Sequence, residues 1–380
     1  MQCERANQQY PYAMLKYLHL ILSLCLLLSC TSHESSQVAP MQYARLLSIE
    51  QADSFALVRI ADPWHQGRTL VSYVLVPDSL PLPHHLPQGN VIRTPLKRAV
   101  VTSSVHAALL MDLNAAQQMV GVTDVNYIVS ERIRQYLKAH VEVKNMGATL
   151  TPDIELYKAV QADAVLVSPF EGADYGVLRH SGIPLIECAD YMETSPLGRA
   201  EWMRFYGLLF GKATQADSLF ALTAERYEAL KQMVVKQGSE HPKVMCDLRV
   251  GSTWYQPGGA STMGQFIADA GGDYLWADRP ESGSLALDLE SVYARAHKAD
   301  IWLVKYGQTN DLTYEQMQRD CSQYAHFKPW QQRHVFACNT YRLPFYEEVP
   351  FQPDRLLRNL IDLFKTAKVD NAEPYYTPLK

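Results

Sequence analysis

The 380-residue sequence lacks a surplus of positive charge. It contains 35 lysines and arginines against 40 aspartates and glutamates, a formal net charge of -5, and no basic run. Proteins that bind nucleic acid neutralise phosphates with clusters of basic side chains. The composition therefore argues against nucleic acid as a partner. An apolar content of 47% equally argues against a disordered chain.

Motifs of the common enzyme classes are also missing. The sequence has no Gly-x-Gly-x-x-Gly after a strand, no Gly-Lys-Ser/Thr phosphate loop, no His-Glu-x-x-His and no Gly-x-Ser-x-Gly. Two glycine-rich stretches, at 257–261 and 269–273, lack the phosphate-binding spacing and suit turns. We therefore predict that the protein is not an enzyme.

The longest apolar run is too short to cross a bilayer. It extends from Leu18 to Leu28 after Lys16, which is the length of a signal-peptide core rather than of a membrane span of about 30 Å. The run ends in Leu-Leu-Ser-Cys at Cys30, which resembles the bacterial lipobox. Residues 1–30 are thus predicted to be a lipoprotein signal peptide, with Cys30 acylated. An ordinary signal peptide with an incidental Cys30 is the alternative.

Cysteine is scarce in the remaining chain. Seven cysteines are present in all, and their spacing fits neither a zinc site nor a Cys-x-x-Cys pair. Five cysteines would remain after cleavage: the acylated Cys30, and Cys188, Cys246, Cys321 and Cys338. In an oxidising compartment Cys321 and Cys338 could form a bridge, and four buried free thiols are the alternative.

The pattern of apolar residues predicts an α/β fold. Residues 31–94 are expected to form a tether and a small N-terminal β-extension. Short apolar strands then alternate with helices over 95–195 and again over 238–380, which is typical of parallel sheets covered by helices. We predict two Rossmann-like lobes with parallel-rich sheets, the second one ending in a terminal helix.

One long α-helix over residues 196–237 is predicted to join the lobes. Apolar side chains recur there at helical spacing, Pro196 suits a first turn and Gly238 a stop. Such a helix would extend about 50 Å. Gly207 and Gly211 would each weaken it by about 1 kcal/mol, so a bend can occur there.

A short acidic pattern occurs once in each lobe. Residues 153–155, Asp-Ile-Glu, and residues 288–290, Asp-Leu-Glu, each precede a helical stretch, an Ala-Asp pair and an apolar strand. The helix dipole favours a carboxylate in the first turn, where the side chain can stay in water. Glu155 and Glu290 are therefore either ordinary helix-start acids or a matched functional pair.

Together these segments resemble the helical-hinge (class III) substrate-binding proteins of ABC importers for iron-siderophores, haem and cobalamin. The resemblance covers about Pro95 to Ala367 and rests on the order of these segments: 97–101, 119–122, 147–167, 181–184 and 289–304. It implies a monomer anchored to the membrane by lipid and facing the periplasm. An ABC permease dimer with its ATPase would be its partner. It also implies that Glu155 and Glu290 dock into arginine pockets of the permease.

Candidate ligand-binding residues follow from the strand ends, because doubly wound sheets bind ligands there. They are Ser104, His106, Tyr127, Met146, Arg249, Trp254, Tyr255, Tyr306, Tyr341 and Arg342, with Trp254 and Tyr255 preferred. Aromatic faces suit a broad, flat or apolar ligand, and basic groups suit an anionic chelate. Tyr127, Tyr255, His106, Met146 and Met192 could each supply an axial donor to haem.

The expected ligand is therefore a transported iron or cobalt chelate, and no prosthetic group is expected. Spacing singles out no site for a bare metal, because His84 and His85 point to opposite faces and His106, His180 and His297 are isolated. A surface or periplasmic lipoprotein that binds a glycan or peptide is the alternative, followed by a protein that binds bare zinc or manganese.

Overall fold

The computed structural model describes residues 41–238, 241–366 and 374–380. The predicted signal peptide, Cys30 and the tether up to residue 40 lie outside these ranges. Within them, no helix combines the length and the apolar character needed to cross a membrane.

The N-terminal extension is a four-stranded sheet in the order β1-β2-β3-β4. Its strands are β1 (Leu47–Gln51), β2 (Ala56–Ala61), β3 (Thr69–Pro77) and β4 (Asn90–Thr94). The first three are antiparallel, and β4 runs parallel to β3. All four strands fall within the segment predicted as a β-extension.

The N-terminal lobe is an all-parallel sheet covered by helices, in the order β7-β6-β5-β8-β9. Its strands are β5 (Ala99–Val101), β6 (Met119–Val122), β7 (Lys144–Asn145), β8 (Ala164–Val167) and β9 (Leu185–Glu187), and its helices are α1 (Ser104–Asp112), α2 (Glu131–Ala139) and α3 (Ile154–Ala159). The central strands β5 and β8 are buried throughout. Their buried, continuously apolar runs are what a parallel sheet requires.

One side chain of the extension closes the free edge of this sheet. The Tyr73 hydroxyl donates to the carbonyl oxygen of Leu185 at 3.0 Å and accepts from the amide of Glu187 at 2.8 Å. Both groups belong to the edge strand β9. Tyr73 is fully buried and stacks on Phe205, with ring centroids 6.1 Å apart. The extension is therefore packed onto the lobe rather than suspended from it.

The segment predicted as a single helix over 196–237 is three helices, so that prediction is wrong. They are α4 (Pro196–Glu201), α5 (Met203–Leu209) and α6 (Ala213–Gln237). The break between α5 and α6 lies at Gly211, which has a left-handed φ of 66°. This conformation lets the amide of Lys212 bond the carbonyl oxygen of Gly207 at 2.7 Å. A Cβ at Gly207 would lie 2.5 Å from the Cβ of Ala216, so this glycine lets α5 pack closely on α6.

Helix α6 nevertheless links the two lobes. Ala216 and Phe220 in its first half belong to the core of the N-terminal lobe, whereas Tyr227 and Leu230 in its second half belong to the core of the C-terminal lobe. Ala224, between them, contacts both cores. Its 25 residues extend about 37 Å.

The C-terminal lobe repeats the parallel architecture in the order β13-β10-β15-β16-β17. Its strands are β10 (Lys243–Cys246), β11 (Arg249–Val250), β12 (Thr253–Pro257), β13 (Asp273–Tyr274), β14 (Ser284–Leu287), β15 (Ile301–Tyr306), β16 (Val335–Asn339) and β17 (Thr377–Pro378). Its helices are α7 (Thr262–Asp269), α8 (Leu289–Ala296), α9 (Tyr314–Asp320), α10 (Lys328–Gln331), α11 (Phe345–Glu348) and α12 (Pro353–Thr366). Only β17 is antiparallel in this sheet. The sequence did not predict the separate antiparallel sheet β11-β12-β14.

Two buried carboxylates fasten the start of the described chain. We call residues 41–46, which precede β1, the strap. Glu201 accepts hydrogen bonds from the amides of residues 42–44, and Glu193 accepts them from the amides of residues 45 and 46, at 2.7–3.1 Å. Tyr43 packs against the cores of both lobes. The strap thus crosses the junction between the lobes beside α4.

The four cysteines Cys188, Cys246, Cys321 and Cys338 are buried free thiols. No bridge joins Cys321 to Cys338, so the alternative of separate thiols holds in this structure. Each lies within the core of its lobe.

Candidate functional site

A cavity of about 430 Å³ lies between the two lobes and is bordered by three exposed tyrosines. Tyr127 comes from the N-terminal lobe, whereas Tyr341 and Tyr346 come from the C-terminal lobe; they are 76%, 61% and 57% exposed. Ser104 and Arg134 of the N-terminal lobe contribute polar groups to its wall. We call it the tyrosine cavity. Its walls offer aromatic faces from both lobes to one ligand.

A second cavity of about 910 Å³ shares part of this wall, including Arg134 and Leu343. It is lined from the N-terminal lobe by the start of α2 and from the C-terminal lobe by Tyr306, Arg342 and the tail at 374–380. We call it the basic cavity because five of its lining residues are basic: Arg132, Arg134, Arg342, Arg355 and Lys380. Both volumes lie within the range of about 300–1,000 Å³ that is usual for small-molecule sites.

Glu347 connects the lobes at the wall of the tyrosine cavity. Its carboxylate, on α11 of the C-terminal lobe, accepts from the amides of Val129 at 2.9 Å and Ser130 at 2.7 Å in the N-terminal lobe. These amides lie at the start of α2, where the Ser130 side chain makes no capping bond. Burial raises the pKa of Glu347, and the two amides and a hydrogen bond with Ser104 partly offset that rise. A carboxylate of one lobe thus binds the two amides that immediately precede a helix of the other, where the helix dipole favours negative charge.

Three predicted ligand residues are buried, contrary to the expectation that they face the cleft. Trp254 is fully buried because β12 turns it inward, where its Nε1 donates to the carbonyl oxygen of Cys246 at 3.0 Å. Met146 is 1% exposed and packs on Gly121. His106 is 2% exposed because its face of α1 packs into the core. None of the three borders either cavity.

His106 instead belongs to a buried polar network. Its Nε2 lies 3.1 Å from Oδ1 of Asp190 and 3.0 Å from the Tyr206 hydroxyl, and Nε of Arg199 donates to Oδ2 of Asp190 at 3.1 Å. Burial raises the pKa of Asp190, but the His106 hydrogen bond and the Arg199 charge outweigh burial and lower it to about 2. The network therefore keeps a charged aspartate between the lobe and α4.

The remaining predicted residues divide between the cleft and other surfaces. Ser104, Tyr127 and Tyr341 border the tyrosine cavity, whereas Tyr306 and Arg342 border the basic cavity. Tyr255 is exposed on the β11-β12-β14 sheet, and the amide of Arg249 donates to the Tyr324 hydroxyl at 3.1 Å; neither residue borders these two cavities. A ligand role for all seven stays a prediction.

Sequence reasoning missed three residues of the cleft: Arg134, Tyr346 and Glu347. Each lies on a helix that follows a strand-end loop, beyond the loop residues that were considered. The first turn of such a helix faces the same crevice as the loop, so extending the search into it would have found Arg134 and Tyr346.

The paired glutamates lie where the sequence pattern puts them. Glu155 is in the first turn of α3, which Asp153 caps, and Glu290 is in the first turn of α8, which Asp288 caps. Both are exposed, and 78% of the Glu155 side chain is accessible. Their docking role stays a prediction.

No three His, Cys, Asp or Glu side chains converge to hold a metal ion in residues 41–238, 241–366 and 374–380. The five predicted axial donors for haem differ in exposure. His106 and Met146 are buried, Met192 is half-buried, and Tyr127 and Tyr255 are exposed.

A family model described as "Periplasmic binding protein" matches residues 99–341, more than half of the chain. The chain belongs to the periplasmic binding protein family. The match begins at β5 and leaves the β-extension outside. It ends at Tyr341, so Tyr346 and Glu347 also lie beyond it. The predicted resemblance and the α/β fold of parallel-rich sheets are both confirmed.

A curated relative is the "Uncharacterized lipoprotein" of Methanocaldococcus jannaschii, which is 26% identical over 226 residues. The aligned region covers 57% of this chain and 53% of the relative. The chain thus spans about half the length of the curated relative that it matches.

Several solved structures share the fold. An ABC-type Fe3+-hydroxamate transport system protein of Saccharomonospora viridis has a TM-score of 0.57 at 18% identity, covering 72% of this chain and 94% of its own. A periplasmic haem-binding protein of Pseudomonas aeruginosa has a TM-score of 0.57 at 13% identity, covering 75% and 98%. A periplasmic vitamin B12 binding protein of Vibrio cholerae has a TM-score of 0.52 at 12% identity, covering 72% and 98%. At these identities the similarity shows the fold alone.

Proposed function

We propose that this protein is the substrate-binding component of an ABC importer and captures a metal chelate between its two lobes. The observation that carries the proposal is the tyrosine cavity, to which both lobes contribute exposed aromatic faces. Aromatic rings bind broad ligands by stacking and exclude water around them. Ferric siderophores, haem and cobalamin share this breadth, and the solved relatives named above are described with each of them.

Titration of the purified protein with hemin, a ferric hydroxamate and cyanocobalamin tests this proposal. Tryptophan quenching and ligand absorbance should report saturable binding of one of them. Tyr127→Ala and Tyr341→Ala should each weaken it about two- to tenfold, because a stacked ring contributes about 0.5–1.5 kcal/mol. Tyr293→Ala removes an exposed tyrosine that borders neither cavity and should leave affinity unchanged.

Saturable binding that resists both cavity substitutions would place the ligand elsewhere. Absence of binding to all three chelates would contradict the proposal and favour the alternative of a glycan or peptide ligand, since sugars also stack on exposed tyrosines.

Delivery to the permease is proposed to use Glu155 and Glu290. Both carboxylates are exposed, one on each lobe, and each lies in the first turn of a helix that an aspartate caps. Charge pairs at such positions orient a partner more than they add affinity. Glu155→Lys and Glu290→Lys should abolish uptake in cells while ligand affinity stays at the wild-type value. Lost affinity would contradict the docking role.

The lipid anchor is proposed at Cys30, which follows the apolar run of the predicted signal peptide. The curated lipoprotein relative supports it. Cys30→Ser should move the protein from the membrane fraction and abolish labelling with radioactive palmitate. Labelling that persists in the variant would contradict acylation at this cysteine.

A further inference from the structure

The walls of the basic cavity carry more positive than negative charge. Its five basic residues face three acidic ones, Glu131, Asp311 and Glu348, and Arg132 pairs in addition with Asp112, outside the lining, at 2.6 Å. The whole chain has a formal net charge of -5, so the excess is local to this cavity. A concave wall of one sign concentrates ligands of the opposite sign.

The acidic residues of the cavity already have partners. Glu348 accepts from Arg355 at 2.6 Å and from the Tyr375 hydroxyl at 2.9 Å. Glu131 pairs with Arg134 on the same helix at 2.8 Å. Because these two carboxylates are already paired, they repel an anionic ligand less strongly.

Asp311 is shared by two basic groups. Arg342 bonds one carboxylate oxygen at 2.8 Å, and the Lys380 ammonium bonds the other. These partners lower the pKa of Asp311, so it remains a carboxylate. One negative charge here opposes two positive charges, on side chains that are 59% and 74% exposed. A guanidinium has five N–H donors, and the bond to Asp311 uses one.

We propose that the cleft selects chelates of net negative charge, with Arg342 and Lys380 binding their anionic groups while the tyrosine cavity holds the body of the ligand. Arg134 lines both cavities and would contact the anionic groups where the two meet. The ligand class is then a ferric catecholate, a ferric carboxylate or a porphyrin with free propionates. This inference rests on the proposed function and narrows its substrate.

Paired chelates of one metal test the inference. A trianionic ferric tris-catecholate and a neutral ferric trihydroxamate are titrated against the wild-type protein, with hemin as a second anionic probe. At least one anionic probe should bind about tenfold or more tightly than the neutral chelate. That preference should shrink as salt is added, because exposed charges are screened.

Arg342→Gln and Arg134→Gln should each lower affinity for the anionic probe about tenfold and leave affinity for the neutral chelate unchanged. Arg295→Gln is the matched control, since Arg295 also pairs with one aspartate, Asp278, and lies outside both cavities. It should behave as wild type.

Tight binding of the neutral chelate with no effect of Arg342→Gln would overturn the charge preference and leave the proposed function intact. If no chelate of either charge binds, the proposed function fails and this inference fails with it.

Discussion

Carboxylates occupy two contrasting regions of this molecule. Glu155 and Glu290 lie at helix starts in water, one on each lobe. Glu193, Glu201 and Glu347 lie inside, where each accepts backbone amides from a segment far away in the sequence. The same side chain is thus an exposed charge in one region and an anchor for distant backbone in the other.

The contrast shows that the role of an acidic residue depends on its burial and its hydrogen-bond donors rather than on its charge alone. A buried carboxylate is stable only with several donors, and backbone amides provide them without another charge. An exposed carboxylate keeps its hydration and remains available to a partner. Removing an acid of each kind should therefore give opposite effects on stability and on transport.

The largest loss of stability is expected from Glu201→Ala. Glu201 is fully buried and accepts from three amides of the strap. Leaving those donors unsatisfied should lower the free energy of unfolding by about 3–5 kcal/mol. Urea unfolding followed by tryptophan fluorescence measures it, with Glu155→Ala as control. Equal stability of the two variants would contradict the fastening role.

A smaller, pH-dependent loss is expected from Asp190→Asn. The pKa of Asp190 is about 2, below its ordinary value of 3.8. Its charge therefore contributes stability that is complete above the ordinary value and is lost as the pH falls through about 2. The contribution is about 2 kcal/mol.

Urea unfolding at several values between pH 2 and pH 6 checks this expectation. The wild-type protein should lose stability towards the acid end more steeply than Asp190→Asn. Parallel profiles for the two proteins would show that Asp190 does not carry the effect.

Glu347→Gln should lower the free energy of unfolding by about 1–2 kcal/mol, because the amide side chain can still accept one of the two hydrogen bonds. Its main effect should be on the separation of the lobes. Spin labels at Lys138→Cys and Gln332→Cys, which are exposed and lie on different lobes, report that distance by pulsed EPR. The four cysteines of the described residues are buried and should not react, and Cys30→Ser in every labelled variant removes the cysteine of the predicted lipidation site.

The wild-type protein should give one narrow distance distribution without ligand, and Glu347→Gln a broader one. Glu348→Gln is the matched control, since that carboxylate binds Arg355 and Tyr375 within its own lobe. A distribution unchanged by Glu347→Gln would show that the lobes are held by other contacts.

The smallest effect on stability is expected at the exposed acids. Glu155→Gln removes an ion pair with Lys158 at 3.3 Å, and exposed pairs of this kind contribute little. The midpoint of thermal unfolding should shift by less than about 2 °C. A larger shift, seen by circular dichroism, would mean that Glu155 supports the fold and would weaken the docking proposal.

The sequence predicted the sheets of both lobes because the evidence for them is local. Buried apolar strands such as Ala164–Val167 and Ile301–Tyr306 alternate with helices. The helices before these two strands begin with their own capping residues, Asp153 and Asp288. The exposure of Glu155 followed from the same local rule.

The remaining features depend on contacts between distant segments. Whether Gly211 bends a helix or ends it depends on how α5 packs against α6, and propensity alone does not decide this. Trp254 follows a strand end in the sequence, but it lies in an antiparallel strand whose alternation turns it into the core. Glu347 has no local pattern at all, because its partners lie about 217 residues earlier.

The Tyr73 hydroxyl has a consequence for self-association. An unpaired outer strand is a template on which another polypeptide can add. The Tyr73 hydroxyl bonds one carbonyl oxygen and one amide of β9, so these two groups are not available to pair with a strand of another molecule. The β-extension would then protect the outer strand of the N-terminal lobe from pairing with another molecule.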